Sequence, residues 1–265
     1  MPALKEPHFF NRDGPDGVRT LREYEYLFLG ATARHSAVGE ASTHYLFSKI
    51  AVPQILEYSP ESRFIVCIRN PIDMAPALHA ERVWQGRERV TRFEDAWRRE
   101  QERERGRLVS SRMTRADQRL RYAQQCRLGE HLQWLYENVG RERVLEVVLD
   151  DIISGPQYQY DRVLAFLGIS RDERASFPVL NVRKTVRSPV FARLLRHATN
   201  AKQSFGISRR FGIGKRLRHV NERTYDFGGD RHVPQDVLAE MKAWFQDDVH
   251  RLEDLVGRDF SAWLE

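Results

Sequence analysis

Two short apolar runs, 63–68 and 143–149, constrain the fold of this 265-residue chain more than any other feature. Both runs are largely continuous rather than alternating, as expected for strands that are covered on both faces. Segments with the period of an amphipathic helix surround them. Because strands that alternate with helices are typical of a parallel sheet, we predict an α/β fold with a single domain over residues 1–265.

Proline and glycine mark several boundaries of the helical segments. Pro71 follows the first strand and suits the first turn of a helix, whereas Gly168 suits a helix end. A short strand is predicted at 38–42. The predicted helices are one that closes at Ser59-Pro60, one that begins at Pro71, and those at 93–107, 119–139, 156–167 and 236–256.

The charge balance favours an anionic partner. Lysine and arginine outnumber aspartate and glutamate by 43 to 37, which gives a formal charge of +6 and a pI near 9.5. Such an excess suits a nucleotide, an acidic glycan, nucleic acid or a membrane surface. We expect no nucleic acid, because the chain has no recognition motif and its aromatic residues are not interleaved with the basic ones. Residues 175–221 hold eleven Lys or Arg and no acidic residue.

The chain has two cysteines, Cys67 in an apolar run and Cys126 in a helical segment. We interpret both as small buried hydrophobic residues rather than as a disulfide pair. No metal-ligand spacing is visible, no stretch approaches a membrane span, and the N-terminus lacks the apolar core of a signal peptide. These features predict a cytoplasmic protein without a metal.

The N-terminal segment 5–10 (KEPHFF) combines catalytic residue types with a restricted backbone. Glu6 and His8 flank Pro7, which fixes its own φ and favours an extended conformation for the residue before it. This arrangement suits a carboxylate that acts as a general base. Because chains usually fray near their ends, a solvated turn is the alternative interpretation.

Arg69 follows the first strand directly and precedes the predicted helix at Pro71. Ligands of open α/β sheets bind beyond the carboxyl ends of the strands. A guanidinium at that position, next to a helix N-terminus, can bind a phosphate through charge-assisted hydrogen bonds. The alternative is an ion pair that caps the edge of the sheet.

Several segments together resemble the sulfotransferase superfamily, in particular the bacterial proteins similar to heparan sulfate sulfotransferases. They occur in the order of that family and cover nearly the whole chain. The resemblance implies a P-loop-like parallel sheet flanked by helices. The matching segments are 5–10 (KEPHFF), 39–46 (GEASTHYL), 63–80 (RFIVCIRNPIDMAPALHA), 93–97 (FEDAW), 147–152 (VVLDDI), 166–169 (FLGI) and 247–263 (DDVHRLEDLVGRDFSAW).

The resemblance implies transfer of a sulfuryl group from 3′-phosphoadenosine-5′-phosphosulfate (PAPS) to a hydroxyl or amine. The reaction would be an in-line displacement in which positioning and charge stabilisation carry most of the catalysis. Glu6 matches the general base of the family. Lys5 and His8 are then second catalytic candidates, although His8 could equally be a packing residue. The acceptor, whether a glycan, a lipid or a small molecule, is not identified by any motif.

The same resemblance assigns cofactor contacts. Arg69 matches the arginine that binds the 3′-phosphate of PAPS. Ala77 stands where family members usually have a serine, which removes one hydroxyl contact worth about 1 kcal/mol. The basic stretch 175–221 would serve as a cofactor lid or acceptor surface, with a solvated segment as the alternative. Its expected anion contacts are Arg183, Lys184, Arg209, Arg210 and Lys215.

Members of the family begin with a strand and a PK-x-GTT loop that holds the 5′-phosphosulfate, upstream of the KE-x-HFF segment. No such strand or loop precedes Lys5 in this sequence. We therefore expect that the first strand and the phosphosulfate loop are missing from its start. Two hypotheses follow: a sulfotransferase whose sequence is shortened, or a non-catalytic relative that binds an adenine nucleotide or an acidic glycan.

Overall fold

The computed structural model describes residues 2–12, 17–104, 120–178, 184–186, 188, 190–195, 222–224 and 233–265. The main helices are α1 (Leu21–Tyr26), α2 (Ala51–Tyr58), α3 (Pro71–Trp84), α4 (Phe93–Glu104), α5 (Tyr122–Gln125), α6 (Leu128–Val139), α7 (Leu149–Ser154), α8 (Pro156–Leu167) and α9 (Gln235–Val256). The strands are β1 (Phe64–Ile68), β2 (Val144–Val148), β3 (Lys184–Val186) and β4 (Glu222–Thr224). Short 3-10 helices occupy Arg141–Arg143 and Ser261–Trp263.

β1 and β2 pair in parallel, from Phe64 opposite Val144 to Ile68 opposite Val148. This pairing confirms both predicted strands and the parallel sheet. β3 and β4 form a separate antiparallel pair, and β3 packs against α3. The carboxyl ends of β1 and β2 lie side by side, and Arg69 is the first residue beyond the end of β1.

One face of β1 is buried and the other is open. Val66 and Ile68 are buried, whereas Ile65 is 40% exposed and Cys67 is also exposed. The predictions that β1 is covered on both faces and that Cys67 is buried are therefore wrong. Successive side chains of a strand point to opposite faces, so Ile65 and Cys67 share the open face. Cys126 is fully buried, as predicted.

The larger hydrophobic core joins β1 and β2 to α4, α5, α6 and α9. α6 and α9 approach closely at Gly129, where a Cβ atom would lie 2.3 Å from the backbone oxygen of Asp248. The Asp248 carboxylate accepts hydrogen bonds from the N–H groups of Gly129 and Glu130, at 2.9 and 2.8 Å. It thereby satisfies backbone donors that the first turn of α6 leaves unpaired. The fully buried side chains of this core include Trp97, Tyr122, Leu132, Met241 and Phe245.

Local signals set two helix boundaries as predicted. α3 begins at Pro71, and the side chain of Asn70 accepts a hydrogen bond from the N–H of Ile72 at 2.9 Å. α8 ends before Gly168, whose backbone is left-handed (φ 71°). A left-handed residue after the last turn favours glycine because glycine has no Cβ.

Two predicted elements differ from the structure. The helix predicted at 119–139 is divided into α5 and α6, because the first N–H groups of α6 bond to Asp248 instead of continuing α5. The strand predicted at 38–42 is irregular, because Glu40 and Ser42 form side-chain hydrogen bonds rather than a backbone ladder. Residues 105–107 of the predicted charged helix lie outside the described residues. None of the described helices has the length and apolarity that crossing a membrane requires.

Candidate functional site

Aromatic packing anchors the N-terminal segment 5–10. Phe9 and Phe10 are 3% and 4% exposed. The ring of Phe9 stacks on Tyr24 at 4.6 Å between centroids, and Phe10 meets Tyr24 edge-on at 5.1 Å. Burying each phenylalanine contributes roughly 1.5–3 kcal/mol. The alternative interpretation of this segment as a solvated turn is therefore wrong.

The backbone around Pro7 is strained and closely packed. Glu6 and His8 have positive φ values of 54° and 50°. The expectation that Pro7 holds Glu6 extended is therefore wrong. The N–H of Val18 donates to the carbonyl of Pro7 at 2.8 Å. Gly17 lies so close that a Cβ atom there would be 2.5 Å from the carbonyl oxygen of His8. Left-handed φ at residues other than glycine costs free energy and persists only where the surroundings enforce it.

This turn brings Glu6 and His8 together. Nε2 of His8 lies 3.5 Å from the Glu6 carboxylate, and the two side chains are 11% and 35% exposed, respectively. The hydrogen-bonding interaction with His8 is the main cause that lowers the pKa of Glu6; burial opposes it, and the charges of Lys5 and Arg82 lower the pKa further. Glu6 is therefore an ionised, solvent-accessible carboxylate at neutral pH. Nδ1 of His8 is buried and has no hydrogen-bond partner among the described residues.

Three residues that sequence reasoning did not single out, Glu40, Ser42 and Tyr45, form a hydrogen-bonded group that holds the backbone of segment 5–10. Ser42 accepts a hydrogen bond from the N–H of His8 at 3.1 Å and donates one to Glu40 at 2.8 Å. The hydroxyl of Tyr45 accepts from the N–H of Phe10 at 3.3 Å and also donates to Glu40. All three lie in the segment 39–46 that contributed to the family resemblance. Their polar spacing alone gives no signal, because the partners are more than thirty residues away.

A buried cation, Arg82, lies near the pair and is linked to it through His44. Arg82, in the last turn of α3, is 5% exposed, and its Nη2 lies 3.0 Å from Nε2 of His44. The ring of His44 is 5.5 Å from that of His8. Burial lowers the pKa of Arg82, and the negative charge of Glu6 is among the effects that oppose this. Sequence reasoning missed both residues: His44 lies in an irregular segment without a local signal, and a charged residue such as Arg82 in an amphipathic helix usually faces solvent.

Arg69 lies at the opposite end of α3. Its side chain is half-buried, and within the described residues its guanidinium has neither an ion pair nor a hydrogen bond. The alternative interpretation, an ion pair that caps the sheet, therefore has no described partner. Ala77 is half-buried in the middle of α3. A guanidinium beside the N-terminus of a long helix is a donor set that suits a phosphate.

The other predicted anion contacts are only partly described. Lys184 begins β3, the strand that packs against α3. Four further predicted contacts lie outside the described residues: Arg183, Arg209, Arg210 and Lys215. Their roles in cofactor binding stay predictions.

The comparison with solved structures identifies the fold. The chain is similar to the crystal structure of a sulfotransferase from Alicyclobacillus acidocaldarius, with a TM-score of 0.67 and 23% sequence identity over 100% of this chain and 87% of that chain. No family model matches the sequence. No curated protein matches it either. The described architecture is therefore a mixed α/β fold shared with a bacterial sulfotransferase, which confirms the α/β part of the predicted fold class. The P-loop-like sheet and the absence of its first strand and phosphosulfate loop stay predictions.

Proposed function

We propose that this chain is a sulfotransferase that moves a sulfuryl group from PAPS to a hydroxyl or amine of an acceptor. The observation that carries the proposal is the anchored Glu6–His8 pair, an ionised carboxylate open to solvent, in a fold shared with a sulfotransferase. The sequence resemblance of segment 5–10 to the KE-x-HFF segment supports the same conclusion.

Glu6 would be the general base. Its pKa is lowered mainly by His8, so it is ionised at neutral pH and can accept the proton that the acceptor releases. Glu6 is also the more accessible of the two, with 35% of its side chain exposed against 11% for His8. His8 would orient the carboxylate, and Lys5 would add positive charge near the reacting groups. Nδ1 of His8 is buried and its Nε2 faces the Glu6 carboxylate, which argues against His8 itself as the base.

Arg69 would hold the 3′-phosphate of PAPS, together with the N-terminus of α3. The donor set fits, because the guanidinium has no hydrogen-bonded or ion-paired partner within the described residues and lies beside a helix N-terminus. When bound, PAPS supplies the sulfuryl group. Lys184 and its basic neighbours remain further candidates for this role.

A second candidate is a relative that binds an adenine nucleotide or an acidic glycan without turnover. Two sequence features favour it: Ala77 replaces the usual serine, and no Lys-x-Gly-Thr-Thr string occurs in the 265 residues. Both candidates share the Arg69 site. They differ in whether the Glu6–His8 pair performs chemistry.

Calorimetry and a transfer assay separate the two candidates. Adenosine 3′,5′-bisphosphate should bind the wild type, and Arg69→Ala should weaken it roughly ten- to a hundredfold. Arg99→Ala, which removes an exposed arginine of α4, is the matched control and should bind normally. Label transfer from [35S]PAPS to heparosan, 2-naphthol or cholesterol would establish the sulfotransferase. Binding without transfer would favour the second candidate, and folded protein that neither binds nor transfers would overturn both.

A further inference from the structure

Glu40 is connected to the Glu6–His8 pair through two hydroxyl groups. One carboxylate oxygen accepts a hydrogen bond from Ser42 and the other accepts one from Tyr45. Each hydroxyl in turn accepts a hydrogen bond from the backbone of the anchored segment, at His8 and at Phe10. Glu40 is therefore connected to the segment that carries the pair through these hydroxyls rather than by a direct hydrogen bond.

Both hydroxyls donate to Glu40, which is the pattern that an ionised carboxylate accepts; burial raises the pKa of Glu40, and the hydrogen bonds from Tyr45 and Ser42 oppose that effect. A carboxylate accepts hydrogen bonds and donates none, so both hydroxyls must turn their hydrogens towards Glu40. Their lone pairs are then left to accept from the N–H groups of His8 and Phe10. A glutamine could accept from only one hydroxyl through its carbonyl and would present N–H to the other. The arrangement thus depends on an acceptor oxygen at both positions as well as on shape.

One of these backbone hydrogen bonds is made by a strained residue, His8, and the other by Phe10, two residues later. Glu6 and His8 both have left-handed φ, and Pro7 between them has no N–H to donate. The N–H groups of His8 and Phe10 are the donors through which Ser42 and Tyr45 hold this conformation. If these two hydrogen bonds are lost, Glu6 can adopt an extended backbone conformation, which is less strained.

We propose that Glu40 is a positioning residue for Glu6. Glu40 acts through the Ser42 and Tyr45 hydroxyls, which fix the backbone of segment 5–10. Its catalytic consequence depends on the proposed sulfuryl transfer, whereas its structural consequence does not. The groups that face Glu40 are Ser42, Tyr45, Tyr24 and His8. The groups that face Glu6 are His8, Lys5 and Arg82.

The titration of Glu6 gives a readout that is independent of activity. The interaction with His8 is the main cause of the lowered pKa of Glu6, so loosening the segment should raise that pKa towards its ordinary value. We would follow the Glu6 side-chain carboxyl by carbon-13 NMR and assign its signal by its loss in Glu6→Gln. The pKa of Glu6 should rise in Glu40→Gln, Ser42→Ala and Tyr45→Phe. An unchanged titration in all the folded variants would overturn the proposal.

Tyr136→Phe is a matched control. Tyr136 also donates its hydroxyl hydrogen to a glutamate, Glu146, but on α6 and β2 away from segment 5–10. Its removal should leave the titration of Glu6 unchanged. If Tyr45→Phe fails to fold, Ser42→Ala and Glu40→Gln report on the same arrangement.

Kinetics then test the catalytic consequence. Misplacing the base should lower kcat by ~10- to 100-fold with the KM for PAPS unchanged. Glu40→Gln should add little in a background that already lacks both hydroxyls. If the pKa of Glu6 moves but no variant or wild type transfers label, the positioning role stands and the proposed function fails. If the wild type transfers label while kcat and the pKa of Glu6 are insensitive to Glu40, the positioning role alone fails.

Discussion

Truncating Phe10 to alanine tests how the segment that carries Glu6 is held. The ring of Phe10 is 4% exposed and packs against Phe9, Tyr24 and Tyr45 with centroid separations of 4.9, 5.1 and 5.9 Å. Phenylalanine-to-alanine changes at such sites cost about 3–5 kcal/mol. Because the Phe9–Phe10 cluster is separate from the larger core, the loss should appear as local opening. A loss of ~4 kcal/mol raises the open population about a thousandfold.

Native-state hydrogen exchange followed by mass spectrometry measures this opening segment by segment. Phe10→Ala should accelerate exchange in residues 2–12 and leave α6 and α9 protected. Phe245→Ala is the contrasting variant, since Phe245 is fully buried in the larger core and should expose α6 and α9. Unchanged exchange at 2–12 in Phe10→Ala, or equal acceleration in α6 and α9, would refute the reasoning.

Three further predictions concern single contacts. Asp248→Ala leaves two N–H groups of α6 unpaired and should lower the free energy of unfolding by about 2–4 kcal/mol. Urea denaturation measures this loss, and an unchanged midpoint would contradict the prediction. Gly17→Ala places a methyl group 2.5 Å from the His8 carbonyl oxygen and should destabilise by about 1–3 kcal/mol in thermal melts, whereas Gly30→Ala, with open space around it, should not. Because the pKa of Glu6 is lowered in the folded protein, the ionised side chain stabilises the fold fully at pH values above 4.5, the ordinary pKa of a glutamate. This contribution is lost as the pH falls through the lowered pKa. Glu6→Gln should therefore flatten the pH dependence of stability in that acidic range, and identical slopes for the two proteins would contradict this.

The elements that the sequence predicts well are those with local signals. The apolar runs of β1 and β2, Pro71 at the start of α3 and Gly168 at the end of α8 each depend on neighbouring residues, and the structure confirms them. The division of the helix predicted at 119–139 could not be foreseen in the same way. It depends on Asp248, which is 119 residues from the N–H that it caps.

The candidate site shows the same limit. Glu6 and Arg69 were found through a resemblance and through their places beside a proline and a strand end. Ser42 and Tyr45 were not found, because their hydroxyls meet segment 5–10 across 34 and 35 residues. Arg82 gave no signal because nothing in a helical pattern distinguishes a buried guanidinium from an exposed one.

The most direct test of the central claim compares sulfate transfer by the wild type and by Glu6→Gln. Glutamine keeps the shape of the side chain and removes its ability to accept a proton. We predict that label transfer from [35S]PAPS falls by about 10²–10⁴-fold in Glu6→Gln, while Glu137→Gln, at an exposed position of α6, transfers at the wild-type rate. Comparable transfer by the wild type and Glu6→Gln would contradict the assignment of Glu6 as the base.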